Sequence, residues 1–330
     1  MAMKNSITDS AVKAAMKTIA QTTATSQEKI EMLLEVAQGF VKKPKTAQDL
    51  YNAIVLYDKV QDLCGENLSL YKARAKVGKG GALQAIPEEN VELLLQSRKA
   101  YLEALPILQE SASPEETAEA RMNLGLVLQS LASSNMARMA DSIQAYQEAL
   151  QVFKCDRYPQ EYAILHNNIA IAYLSMSGGE QQQYLFEGLA VQSFEVALKQ
   201  INPMEHPREY AMLQNNLGNA LQYLPSSHPF ENNSRAVIAY DEALKVRNYQ
   251  DTPIEYANTI ANKANALINL PDKLHKPEAG NLQNILKARD YYQEALEIFT
   301  QHGQVKQAQA VFQVLEELKT DIPPHRDSGE

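Results

Sequence analysis

Asparagine recurs at one position of a repeated pattern, and it is the residue type best placed to do chemistry in this sequence. Asn123, Asn168, Asn216 and Asn262 each stand two residues before a small residue. A carboxamide both donates and accepts hydrogen bonds, so it matches a peptide bond whatever side chain the peptide carries. These asparagines therefore have the donors and acceptors that pairing with another protein's backbone would need. The alternative is that they bond neighbouring helices of their own chain.

The helical neighbours of these asparagines, at −4, +3 and +7, share their face of the helix. Several of them are apolar, and around the last asparagine they are all amides. Together with the basic run described next, the candidate partner-binding residues are Asn123, Leu126, Ile164, Asn168, Ile171, Met212, Asn216, Asn219, Asn258, Asn262, Asn265 and Asn269.

A basic run, YKARAKVGKGG at 71–81, supplies positive charge. If Gly78 is the small residue of its copy, Lys76 takes the asparagine position, and Lys72 and Lys79 lie on the same face. The three ammonium groups would then face an acidic stretch or the C-terminal carboxylate of a partner. The alternative is a solvated lysine run. GKGG is not a phosphate loop, because no GxxxxGK[ST] motif and no preceding strand are present.

Catalysis has little support in the sequence. His166 stands beside Asn167 and Asn168 on a predicted helix, but no HExxH motif, nucleophile elbow or Cys/His zinc spacing accompanies it. We expect a packing or groove histidine, and a chain that is not an enzyme and uses no metal or cofactor.

Two alternating patterns predict the helices that position these residues. One places an aromatic residue between small or branched residues at −4 and +3, with Tyr57, Tyr101, Tyr146, Phe194, Tyr240 and Tyr292 as the aromatic members. The other reads PEETA, PQEYA, PREYA and PIEYA, in which Pro and Glu suit the first turn of a helix. From Ala104, Ala149, Ala197 and Ala243 to the next small residue the distance is 21 residues each time. This constant spacing predicts repeated helix pairs.

The predicted pairs cover residues 27–64, 66–110, 114–155, 159–202, 207–248 and 253–300. A final helix over 303–320 would cap the apolar end of the array, which as a whole spans 27–320. The N-terminal segment, 1–26, holds one further helix at 8–22, and the tail at 321–330 is predicted to be disordered.

The runs NLG at 123–125, NIA at 168–170 and NLG at 216–218, together with the small–aromatic–small pattern, resemble the two helices of a tetratricopeptide repeat. The resemblance implies an all-α, right-handed solenoid of helix-turn-helix repeats whose asparagine position faces a concave, peptide-binding groove. The aromatic residues recur every 44–52 residues, against about 34 in the family, so the superhelical pitch is not carried over. HEAT and armadillo arrays share the longer period but have different signatures.

Some members of that family grip a C-terminal carboxylate with a Lys/Asn set that Lys72, Lys76 and Asn123 loosely match. Glu119, Ile164, Met212 and Asn258 stand where the remaining basic residues of such a clamp would be. The complete clamp is therefore not expected, although a single basic end of the groove is.

Composition narrows the classes of function. The net charge is −9, and residues 113–330 carry 27 acidic residues against 17 basic ones, which argues against nucleic acid as the main partner. The two cysteines, Cys64 and Cys155, form no CxxC pair, and no apolar run is long enough to span a membrane. We therefore expect a cytoplasmic protein without membrane insertion.

The function expected from these observations is a non-catalytic scaffold or adaptor that binds a peptide or protein segment in its groove. The alternative is a peptide-sensing regulatory protein whose solenoid changes curvature when the ligand binds.

Overall fold

The structure is a computed structural model that describes residues 10–88, 90–224 and 229–321. Over these residues it contains fourteen α-helices and no β-strand. The predicted fold class, an all-α helical-repeat solenoid, is confirmed. The chain divides into two units, Met1–Lys154 and Cys155–Glu330, each with its own helix stack.

In the first unit each helix packs against the next along the chain, and α4 also contacts α2 and α6. The first helices of successive pairs therefore lie side by side, as in a repeat array. The helices of this unit are α1 (Ser10–Gln21), α2 (Ser26–Lys42), α3 (Ala47–Leu63), α4 (Ser69–Ala85), α5 (Val91–Ser111), α6 (Pro114–Ser133) and α7 (Met139–Ala149).

The second unit repeats this arrangement, with α10 contacting the neighbouring first helices α8 and α12 as well as its own partner α11. Its helices are α8 (Pro159–Leu174), α9 (Glu180–Leu198), α10 (Pro207–Tyr223), α11 (Pro229–Leu244), α12 (Pro253–Ile268), α13 (Leu282–Gln301) and α14 (Val305–Asp321). Two helices thus occupy each of the six predicted pairs, and α1 and α14 lie where the outer helices were expected. The predicted disorder at 321–330 concerns residues outside the described range, apart from Asp321, which ends α14.

The predicted helix starts at Pro114, Pro159, Pro207 and Pro253 are confirmed, since each proline lies in the first turn of its helix. Proline has no N–H to leave unbonded at this position, and the glutamate two residues later faces the positive end of the helix.

The repeated aromatic residues form the core between helices. Tyr146 and Tyr240 are fully buried, and the other four are at most 4% exposed. The rings of Tyr146 and Tyr240 lie directly over glycines of the preceding helix. A Cβ at Gly125 would be 2.4 Å from the Tyr146 ring, and one at Gly218 would be 2.6 Å from the Tyr240 ring. The small residues of the pattern are therefore needed for the close approach of the two helices of a pair.

Candidate partner-binding surface

The asparagines of α8, α10 and α12 form a continuous hydrogen-bonded chain across the first helices of the second unit. Asn262 Nδ2 donates to Asn215 Oδ1 at 3.4 Å, and Asn215 Nδ2 donates to Asn216 Oδ1 at 3.0 Å. Asn216 Nδ2 then donates to Asn167 Oδ1 at 2.7 Å, and Asn167 Nδ2 donates to Asn168 Oδ1 at 3.3 Å. We call these five residues the amide chain.

The amide chain ties adjacent helix pairs together, so part of the bonding capacity expected to meet a ligand is used inside the protein. Its two buried members, Asn167 and Asn215, were not among the predicted site residues. The doublets at 167–168 and 215–216 are the sequence signal that could have identified them. Consecutive asparagines on a helix point about 100° apart, so one of each doublet can reach sideways to the neighbouring helix while the other faces outward.

A polar cavity of about 380 Å³ lies at one end of the amide chain, between α10, α11 and α12. We call it the amide cavity, since all of its lining residues that the structure describes are carboxamides: Asn219, Gln222, Asn233, Asn262, Asn265 and Asn269. Four of the predicted site residues meet here, and Asn265 and Asn269 are exposed at its mouth. Gln222 and Asn233 were not predicted.

Hydrogen bonds to the core fix the wall of the amide cavity. The Tyr240 hydroxyl donates to Asn219 Oδ1 at 2.7 Å and accepts from Gln222 Nε2 at 2.6 Å. Asn265 Nδ2 donates to Gln222 Oε1 at 3.0 Å. The buried tyrosine of the repeat thereby orients two of the amides that line the cavity.

The apolar candidates are more scattered. Ile164 is 37% exposed on α8, and Ile171 on the same helix is half-buried. Met212 is half-buried near the start of α10, where it lines a second cavity away from the amides. Asn258, on α12, is half-buried.

The remaining candidates, Asn123, Leu126 and the three lysines, belong to the first unit. Asn123 and Leu126 are half-buried on α6. On α4, Lys76 forms an ion pair with Glu103, and Lys79 Nζ lies 2.6 Å from Asp58 Oδ1. Two of the three lysines therefore have partners within the protein, while Lys72 is half-buried on the same helix.

The register expected for α4 is wrong by two residues. A Cβ at Gly80 would lie 2.9 Å from the Tyr101 ring, in the way that Gly125 lies against Tyr146. Lys76 therefore corresponds to Arg121 and not to Asn123. Both cations pair with the glutamate two residues after the aromatic of their own pair: Lys76 with Glu103, and Arg121 with Glu148. Gly78, at the asparagine position, instead faces the Tyr57 ring of the preceding pair.

His166 is held within the helix packing. The Ser193 hydroxyl donates to the His166 carbonyl oxygen at 3.0 Å, so the proton of the imidazole lies on Nδ1 and is donated to Ser193 Oγ at 3.1 Å. Burial lowers the pKa of His166 to about 4. The imidazole is therefore neutral at pH 7, with one nitrogen already engaged.

The thiols and acidic groups offer no evident reactive centre in the part of the chain that the structure describes. Burial raises the pKa of both Cys64 and Cys155, which lowers the thiolate fraction at neutral pH. Among residues 10–88, 90–224 and 229–321, no group of three or more His, Cys, Asp or Glu side chains is arranged to hold a metal ion. Nor do these residues include a helix both long and apolar enough to cross a membrane.

Comparisons with known proteins identify a fold but no family. No protein-family model matches the chain, and no curated protein matches it. Its structure is similar to that of a signal transduction ATPase with numerous domains (STAND protein) from Pyrococcus horikoshii, which carries a tetratricopeptide-repeat sensor. The TM-score is 0.59 at 15% sequence identity, over 92% of this chain and 42% of that one. The chain thus spans less than half the length of that protein and shares with it an all-α helical-repeat fold.

Proposed function

We propose that the chain is a non-catalytic protein-interaction module that holds a peptide or protein segment along the first helices of its second unit. The observation that carries the proposal is the amide cavity, which is concave and polar, and whose described lining residues carry no charge. A site of this composition favours an uncharged group with both donors and acceptors, and an extended peptide backbone is such a group.

The surroundings of the cavity support a binding surface that is formed before the partner arrives. Gln222 and Asn219 are held by the Tyr240 hydroxyl, so little side-chain freedom is lost when they meet a ligand. Ile164 and Ile171 offer apolar contacts on α8, two helix pairs away along the amide chain. A segment lying across α8, α10 and α12 would meet both kinds of contact.

The experiment that tests this function is a screen of the intact chain on an array of random peptides. We expect bound peptides, and we expect Asn265→Ala with Asn269→Ala to weaken their binding about tenfold or more, because each amide removed leaves peptide groups unpaired. The matched control is Gln313→Ala, which removes an exposed carboxamide of α14. If the double variant binds the peptides as tightly as the wild-type chain, the amide cavity is not the binding site.

A sensing role is the second candidate, and the observation that favours it is the sensor carried by the similar STAND protein. In that case the bound segment would change the curvature of the helical array as well as occupy it. Small-angle scattering of the chain with and without a peptide from the screen distinguishes the two: an unchanged profile excludes the sensor and leaves the scaffold.

A separate proposal concerns the first unit alone: we propose that an acidic stretch or a free C-terminus of a partner binds at Lys72, which is the lysine of the 71–81 run without an ion pair among the described residues. Lys72→Glu should slow association at low salt and have little effect at high salt, because such charges are screened within about 10 Å. Unchanged association at low salt would leave the lysines as a solvated surface. A cytoplasmic location is part of the same proposal.

A further inference from the structure

One position of the repeat holds a charged residue in the fifth pair and an apolar or thiol residue in every other pair. The position lies seven residues after each aromatic, where Cys64, Leu108, Phe153, Ile201 and Phe299 stand in the other pairs. Leu108, Phe153, Ile201 and Phe299 are at most 5% exposed there. In the pair formed by α10 and α11 the residue is Arg247.

Arg247 is half-buried and has few partners. Its Nη1 donates to Thr259 Oγ1 at 2.8 Å and lies 3.5 Å from the Glu255 carbonyl oxygen. The N–H groups of Nε and Nη2 have no acceptor among the described residues, and no described carboxylate forms an ion pair with this guanidinium. Burial lowers the pKa of Arg247, and the Glu255 carboxylate opposes this effect from a distance.

A cavity of about 460 Å³ opens beside this guanidinium. Ala211, Met212 and Val246 supply apolar walls, and Thr252 lies at the start of α12. The exposed side chains of Arg208, Asp251 and Glu255 complete the lining. This cavity is at the N-terminal ends of α10 and α12, whereas the amide cavity involves residues near their C-terminal ends.

We propose that this second cavity binds an oxyanion carried on a short apolar group, with Arg247 as the residue that binds the anion. A guanidinium presents its N–H groups as a planar fork that fits two oxygens of a carboxylate or phosphate. A half-buried charge without a counter-ion loses part of its hydration, and an anion would supply the missing partner. The apolar walls would contact the hydrocarbon part of the same ligand.

The charges facing the cavity favour one class of anion. Asp251 accepts a hydrogen bond from Asn248 at 3.0 Å, and both Asp251 and Glu255 are exposed to water. They offset the positive charges of Arg208 and Arg247, so the described lining has no surplus positive charge to hold the second negative charge of a dianion. A carboxylate is accordingly expected to bind more tightly than a phosphate ester.

The test uses the intact chain and three probes, N-acetyl-leucine, N-acetyl-leucinamide and propyl phosphate, with binding followed by NMR titration. The first two differ only in that one has a carboxylate where the other has a neutral carboxamide. The third has a phosphate in place of the carboxylate. We expect N-acetyl-leucine to bind about tenfold or more tightly than its amide. Tighter binding of propyl phosphate would keep the oxyanion site and assign it to phosphate. Equal binding of acid and amide, or no binding of any probe, would overturn the proposal.

The variant Arg247→Leu introduces a leucine, which is the residue at the equivalent position of α5, Leu108. We expect it to abolish probe binding while thermal stability is unchanged or higher, because a half-buried charge without a counter-ion is removed. Arg235→Leu, at an exposed arginine of α11, is the control that should bind as the wild-type does. If Arg247→Leu does not fold, Arg247→Lys decides: it keeps the charge, loses the fork and should bind more weakly. Wild-type affinity in Arg247→Lys would then contradict the assignment.

Discussion

Asn216 Nδ2 donates a 2.7 Å hydrogen bond to Oδ1 of Asn167 and so joins α10 to α8. Asn167 is 7% exposed, so the acceptor has little access to water. We predict that Asn216→Ala lowers the free energy of unfolding by about 1–2 kcal/mol, because the Asn167 acceptor is left unpaired. Urea denaturation measures this, with Asn269→Ala at the mouth of the cavity expected to change stability by less than about 0.5 kcal/mol. Equal losses in both variants would mean that the amide chain does not join the pairs.

The contact between Gly218 and Tyr240 gives a second prediction. A Cβ at Gly218 would lie 2.6 Å from the Tyr240 ring. Gly218→Ala should therefore destabilise the protein by about 1–3 kcal/mol through overpacking, despite the higher helix propensity of alanine. Gly188→Ala is the matched control on α9, where the added Cβ would have no described atom within 4 Å apart from its own helix backbone and its chain neighbours. That variant should gain about 0.5–1 kcal/mol, and a gain at both sites in thermal melts would disprove the close packing.

At Tyr146, the contributions of ring packing and of the hydroxyl hydrogen bond to stability can be measured separately. Its ring is fully buried, and its hydroxyl donates to Gln129 Oε1 at 2.9 Å. We predict a loss of about 3–5 kcal/mol for Tyr146→Ala, as for other buried aromatic truncations. Tyr146→Phe keeps the ring and should lose about 1 kcal/mol. Chemical denaturation of both variants measures the two contributions, and similar losses would assign the role of this residue to its hydroxyl.

His166 makes stability depend on pH on the acidic side. Its pKa is about 4 in the folded protein, against about 6.5 in an unfolded chain. The unfolded state therefore binds more protons between these values, so the stability contributed by neutral His166 is present above about pH 6.5 and is lost as pH falls toward 4. The expected loss is roughly 2–3 kcal/mol.

The variant His166→Gln keeps a donor near Ser193 and should flatten the stability profile between about pH 6.5 and about pH 4.5. His302→Gln, at an exposed histidine, is the control and should leave the profile unchanged. An identical slope in the wild-type and His166→Gln chains would show that other groups cause the acid sensitivity.

The helix pairs could be predicted from the sequence because each depends on local, repeated signals. The prolines act within the first turn of their own helices. The step of 21 residues joins helices that follow one another along the chain. The register of α4 could not be fixed in the same way, because GKGG offers three glycines and only packing against Tyr101 selects Gly80.

Contacts between pairs were harder to predict than contacts within them. The position of Asn216 was predicted, but its bond to Asn167 joins residues 49 positions apart. Whether an amide faces outward or sideways depends on the angle between adjacent helices, which no local pattern encodes. Arg247 is outside the two patterns that predict the helices, and its signal is the substitution of an arginine seven residues after Tyr240, where the other pairs have an apolar residue or a cysteine.

The amide chain also has a sense of direction. Followed from Asn262 to Asn168, each of its four bonds has the donor first and the acceptor second, so the five carboxamides are linked in one order and polarise one another. At the ends, the Nδ2 hydrogens of Asn168 and the Oδ1 atom of Asn262 have no partner among the described residues. Reversing one link would place two donors or two acceptors face to face, so the chain reverses only as a whole. A ligand lying across these helices therefore meets a surplus donor at α8 and a surplus acceptor at α12.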